Sequence, residues 1–197
     1  MTEPPAQPAA GDEPSDRAGA ALRLVPVADP AACAPLRALL TEYLHWVAGV
    51  AREKFGLSWD VAAMVDSDLH DAAKFSPPTG RCYLVGRGDA YVGVGCLMRL
   101  APGVAEVQRM YVQPHSRGLG AGRLLVGQLV DGARRIGYRT VRLESLKALA
   151  PAHELYRSVG FVEIAPDAET DMADFQPAPD MDRYRESVLF MELVLQR

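Results

Sequence analysis

Apolar positions change period several times along this chain, and each change marks an expected element. Leu22-Arg23-Leu24-Val25-Pro26-Val27 alternates apolar and polar positions and predicts a first strand. Asp29 and Pro30 then carry the residue types of a helix N-cap and a first helical position. The helix they predict runs through Leu36, Leu39, Leu40, Tyr43 and Leu44 towards Trp46, at the spacing of one buried helical face. A second helix is expected over residues 59–74, and Pro77-Pro78-Thr79-Gly80 ends it in a turn. The period then falls to two. Residues 82–85 and 91–98 flank Gly88-Asp89 and predict a β-hairpin. Pro102-Gly103 turns the chain into a third strand in succession, over residues 105–112.

Helical spacing returns at Leu125, Leu129, Ala133 and Ile136. Residues 139–146 alternate again, and residues 152–159 read as a helix with Gly160 as its C-cap glycine. Phe161 opens a short strand over residues 161–164. A long acidic loop with Asp167, Glu169, Asp171, Asp174, Asp180 and Asp182 leads to a final strand over residues 188–195. The order is strand, two helices, three strands, helix, strand, helix, two strands, and no internal repeat interrupts it. That order predicts a mixed α+β domain around one sheet. Residues 1–20 hold four prolines, several alanines and mixed charges, so a disordered tail is expected to precede a domain of residues 21–197.

Composition removes some functions. A chain of 197 residues suits one domain with a sizeable core. A net charge of −4 gives no electrostatic support for nucleic-acid binding. Cys33, Cys82 and Cys96 are widely spaced, with no Cys-x-x-Cys pair, so no metal site is expected and the thiols suit a reducing cytoplasm. No apolar run approaches the roughly 20 residues of a membrane span, and the N-terminus lacks the apolar core of a secretion signal.

The chemistry concentrates after the third strand, in Arg117-Gly118-Leu119-Gly120-Ala121-Gly122. Strand, glycine turn and helix follow directly on one another. Glycine lets the backbone approach a ligand closely, and the free N–H groups of a helix start attract a polyanion. The segment therefore reads as a pyrophosphate cradle. A P-loop needs a Gly-Lys pair, which the chain lacks, and a dinucleotide fold needs Gly-x-Gly-x-x-Gly, which differs from this spacing. The run resembles the Arg/Gln-x-x-Gly-x-Gly/Ala signature of the GNAT N-acetyltransferase superfamily. About 40 residues on, beyond a predicted strand, Leu155-Tyr156-Arg157-Ser158-Val159-Gly160-Phe161 is similar to that family's Leu-Tyr-x-x-x-Gly-Phe helix end.

The resemblance covers about residues 22–195. It implies the GNAT acyl-coenzyme A N-acyltransferase fold, a mostly antiparallel central sheet splayed at two parallel strands and flanked by helices. It also implies acetyl-coenzyme A as co-substrate, with no metal. Main-chain groups of Met110, Tyr111 and Val112 would hold its pantetheine arm, and those of Arg117, Gly118, Leu119, Gly120, Ala121 and Gly122 its pyrophosphate. The Arg117 side chain would add a charge-assisted bond. Ser145 stands in for an asparagine common in the family. Tyr156 is the expected acid for the leaving thiolate. Glu106 is the expected base, with Glu144 as a second candidate, whereas His153 is expected on the helix surface. Tyr43 and Trp46 would line the acceptor pocket with Glu144. The acidic loop suits a cationic amine, while Arg109 suits a carboxylate on the acceptor, so two cues point to different acceptors. A small-molecule amine is the leading expectation. Protein or peptide acetylation, or a coenzyme A-binding regulatory module without turnover, are the alternatives. A homodimer through the last strand is compatible.

Overall fold

The computed structural model describes residues 20–165 and 180–196. The expected N-terminal tail, apart from Ala20, and the acidic positions Asp167, Glu169, Asp171 and Asp174 lie outside the described residues. The chain forms β1 (Leu22–Pro26), α1 (Ala34–Phe55), α2 (Val61–His70), β2 (Arg81–Arg87), β3 (Ala90–Ala101) and β4 (Val104–Val112). There follow α3 (Ala121–Ile136), β5 (Thr140–Leu146), α4 (Ala150–Val159), β6 (Val162–Ile164), α5 (Met181–Ser187) and β7 (Val188–Val194). The sheet order is β1-β2-β3-β4-β5-β7-β6.

Every neighbouring pair is antiparallel except β4 and β5. Those two pair in parallel only from Val104–Thr140 to Glu106–Arg142. Beyond that step they diverge, and the main-chain groups of β4 on that side leave the ladder. This is the splayed pair of parallel strands that the family resemblance implies.

Period-two alternation gives the sheet two apolar faces. One is covered by α1, α2 and α5, with Leu36, Leu40, Leu44 and Val47 of α1, Met64 of α2 and Tyr184 of α5 in one cluster with Val94, Cys96 and Phe190. The other is covered by α3 and α4, with Leu125, Leu129 and Ala133 packed on Val107, Val141 and Met191. Burying one such leucine fully contributes about 1.5–3 kcal/mol. No helix among the described residues is long and apolar enough to cross a membrane.

Several boundaries differ from the sequence expectation. Asp29 does not cap α1. Its carboxylate accepts from the N–H groups of Ala31 and Ala32 at 3.1 and 3.3 Å, closing a local turn. The helix starts at Ala34, with Pro35 in its first turn. Asp60 caps α2 by accepting from Ala63 N–H at 3.0 Å, and residues 72–75 form a separate 3-10 turn rather than prolonging that helix. Asp180 and Asp182, expected in a loop, stand at and within the first turn of α5 and pair with Arg183 and Arg185.

β4 carries one local anomaly. Val94 and Cys96, two residues apart on β3, sit opposite Tyr111 and Gln108, three residues apart on β4. The extra residue makes a β-bulge. It falls at Arg109, whose φ of 55° is left-handed without being glycine, a conformation that costs roughly 1–2 kcal/mol.

Candidate active site

The glycine turn adopts the predicted strand–turn–helix form. Gly118 and Gly120 have φ of 76° and 92°, and Gly120 is the residue immediately before α3. A Cβ added at either would meet no heavy atom within 4 Å, so both backbones border open space. The first N–H groups of α3 have no partner inside the helix and carry its positive dipole end. Ser116, fully buried beside this turn, has an Oγ with no hydrogen-bond partner among the described residues. A buried hydroxyl in that state favours an acceptor such as a phosphate oxygen. The turn, the helix start and this hydroxyl together fit a pyrophosphate. Leu119 is half-exposed at the outside of the turn.

The diverging strands open onto a cavity of about 650 Å³, a size suited to a small-molecule site. Gly118, Gly120, Ala121 and Gly122 line it with Met110, Tyr111 and Val112. Tyr156 lines it from α4, only 6 % exposed, its ring 5.8 Å from that of Phe161. Burial first, then the neighbouring Tyr43, hold the Tyr156 hydroxyl well above the ordinary tyrosine range, so it keeps its proton.

Tyr43 and Trp46 reach the cavity from α1, as the sequence predicts, and their rings lie 5.6 and 5.7 Å from Tyr111. Glu42, which the sequence reading passed over, accepts from Tyr111 Oη at 2.8 Å and from Gln113 Nε2 at 2.6 Å. Burial first, with the Glu42 carboxylate, pushes the Tyr111 hydroxyl up to about 12. Arg117 packs on the aromatic wall. Its Nε donates to the Val112 carbonyl at 2.9 Å, and its guanidinium lies 4.8 Å over Trp46 and 5.8 Å over Tyr111. Its side chain therefore braces the end of β4 against the aromatic wall.

Glu106 and Glu144 both line the cavity, on the two strands that part there. Glu106 accepts from Gln108 Nε2 at 2.9 Å, and Glu144 accepts from the hydroxyl of Tyr184. Tyr184 is 5 % exposed and comes from α5. The sequence predicts a loop up to Asp182, whereas the structure forms α5 from Met181 and so brings Tyr184 to Glu144.

Two assignments need correction. Arg109, expected to meet a carboxylate on the acceptor, is bound to Asp68 of α2 instead. Its Nε and Nη2 donate to the two carboxylate oxygens at 2.6 and 3.0 Å. His153, expected on the helix surface, is 3 % exposed, with its Nε2 3.1 Å from Ser145 Oγ. Burial first, then Arg157, lowers its basicity, so the ring is neutral near pH 7. Ser145 lines the cavity, with His153 behind it.

Comparison with known proteins agrees with this geometry. The profile described as the acetyltransferase (GNAT) family matches residues 41–161. An uncharacterized N-acetyltransferase of Schizosaccharomyces pombe is 34% identical over 131 residues, 65% of this chain and 75% of that protein. An IAA acetyltransferase of Azospirillum brasilense is 32% identical over 108 residues, covering 54% of this chain and 71% of that one. The fold also matches the PaiA N-acetyltransferase of Thermoplasma acidophilum, solved in complex with coenzyme A. The TM-score is 0.63 at 15% identity, over 89% of this chain and 99% of that one. With its splayed sheet, its glycine turn and a family profile spanning both signature motifs, the chain belongs to the GNAT family of acetyltransferases.

Proposed function

We propose that this protein transfers the acetyl group of acetyl-coenzyme A to the primary amine of a small molecule, by direct attack while both are bound. The observation that carries this reading is the convergence of the glycine turn and Tyr156 on one cavity. The backbone N–H groups of residues 118–122 and the Ser116 hydroxyl would hold the pyrophosphate, and the parted edge of β4 the pantetheine arm. The bound thioester would supply an activated acetyl group and a thiolate leaving group.

The remaining steps belong to side chains of this chain. An amine attacks only as the neutral base, so its proton must go to an acceptor. Glu106, at the step where β4 and β5 part, takes that role directly or through water. Glu144, engaged by Tyr184, orients the acceptor. Tyr156 holds a proton at its Oη for the departing sulfur. Val47, Val50, Trp59 and Met64 give the α1–α2 side of the cavity an apolar wall suited to the body of a small amine.

Isothermal titration with acetyl-coenzyme A tests the cradle, and thiol release across a panel of amines tests the transfer. Micromolar binding with amine-dependent thiol release is expected. Binding without release for any amine would favour a regulatory module. Glu106→Gln is expected to lower kcat/KM by about 10–100-fold and to flatten the acidic limb of the pH profile. A profile superimposable on the parent would remove Glu106 as base.

Tyr156 sets the sign of the alkaline limb. An acid whose pKa is raised keeps its proton to higher pH. The rate is therefore expected to rise as base and amine lose their protons, and not to fall before about pH 10, the ordinary tyrosine value. A decline between pH 8 and 9 that vanishes in Tyr156→Phe would contradict this assignment.

A further inference from the structure

We propose that Asp68 is a positioning residue that sets which face of the sheet the cofactor-side half of β4 presents, by holding the inserted residue Arg109 in its left-handed conformation. The inference rests on the acetyl-coenzyme A reading for its functional consequence and on geometry alone for the device itself.

Side chains alternate along a strand, and one inserted residue moves everything beyond it to the other face. Ala105 and Val107 of β4 pack in the core under α3. Unbroken alternation would place residues 109 and 111 there too. Instead Tyr111 packs in the opposite core, against α1, while Met110 and Val112 pack under α3. The switch falls at Arg109, with its φ of 55° and its register slip against β3. Gly95 on β3 accommodates it, because a Cβ there would stand 3.0 Å from Met110 Sδ.

Such a position ordinarily carries glycine. Here the arginine is gripped from outside the sheet. Asp68 is 2 % exposed and takes both Nε and Nη2 of Arg109, and Lys74 Nζ approaches the same carboxylate at 3.3 Å. A planar guanidinium bound at two points fixes its own backbone more tightly than a single contact does. The consequence lies two residues on. Tyr111 meets Tyr43, Trp46 and Glu42, and Arg117 lies over both Trp46 and Tyr111. Through Asp68, α2 thus bears on the aromatic wall that Tyr43, Trp46 and Tyr111 form.

The test uses Asp68→Ala, Arg109→Gly and the double variant, with acetyl-coenzyme A affinity read by titration. Trp46 emission is read without ligand in a Trp59→Phe background, since Trp46 and Trp59 are the chain's two tryptophans. Asp68→Ala is expected to weaken acetyl-coenzyme A binding at least tenfold and to shift Trp46 emission as Tyr111 and Arg117 leave its ring. Glycine takes the left-handed conformation without a clamp, so the double variant is expected to recover affinity to within about threefold of the parent. Loss of thermal stability with unchanged affinity and emission in the folded protein would overturn the proposal. So would a double variant no better than Asp68→Ala. Should Asp68→Ala fail to fold, Asp68→Asn keeps the shape and one acceptor, and unchanged emission and affinity in it would be equally fatal. If the parent itself did not bind acetyl-coenzyme A, the cofactor reading would fall. The emission shift and its reversal by Arg109→Gly would still decide the clamp.

Discussion

Gly120→Ala is expected to weaken acetyl-coenzyme A binding by about 10–100-fold, while Gly127→Ala, seven residues along the same helix, leaves it unchanged. Neither added methyl group would touch protein, since no heavy atom lies within 4 Å of a Cβ built at either position. The difference lies in what borders each site. Gly120 has φ of 92° at the mouth of the cavity. A Cβ there enters the space where phosphate oxygens would approach the helix N–H groups, and the backbone conformation becomes strained by about 1–2 kcal/mol. Gly127 lies inside α3 with helical geometry. Alanine there is expected to stabilise the fold by about 0.5–1 kcal/mol, by reducing the freedom of the unfolded chain. Titration and thermal denaturation of the pair check both halves. Equal affinities in the two variants would leave the glycine turn as a packing device only.

Tyr156→Phe is expected to lower kcat by about 10²–10³-fold, with the KM for acetyl-coenzyme A within about twofold of the parent. General-acid catalysis contributes about 10²–10⁴-fold when the donor is placed against the leaving group. The substitution removes one oxygen and keeps the ring against Phe161, so binding and packing should survive. Tyr156 offers a reliably protonated donor because burial disfavours its anion. A thiolate leaving from acetyl-coenzyme A would otherwise have to depart unprotonated in a partly dry site. Steady-state kinetics decide the matter. Unchanged kcat would reduce Tyr156 to a core aromatic, whereas a large rise in KM alone would make it a binding residue.

The glycine turn and the Leu-Tyr helix end were legible in the sequence because both are local. Each packs its chemistry into a few consecutive residues whose backbone demands show as residue types. The seven strands and the first four helices were legible for the same reason, since a change of period needs only a short window. Capping was read less well at α1. Asp29-Pro30 and Cys33-Ala34-Pro35 lie close together, and only the docked helix shows which one starts it.

Other features depend on contacts between distant segments. Glu42 meets Tyr111 and Gln113 across 69 and 71 residues, Asp68 meets Arg109 across 41, and Tyr184 meets Glu144 across 40. His153 differs because a titratable side chain on a helix reads as exposed until its partner is known, and Arg109 because its carboxylate partner, Asp68, comes from a helix far away in the chain. By itself the sequence determined the fold family, the glycine turn and the Leu-Tyr helix end, each written in neighbouring residues. Only the tertiary structure decided the bulge, the face of Tyr111 and the polar partners of the cavity. An inserted strand residue and a buried ion pair acquire meaning only when a second segment, far away in the chain, is packed against them.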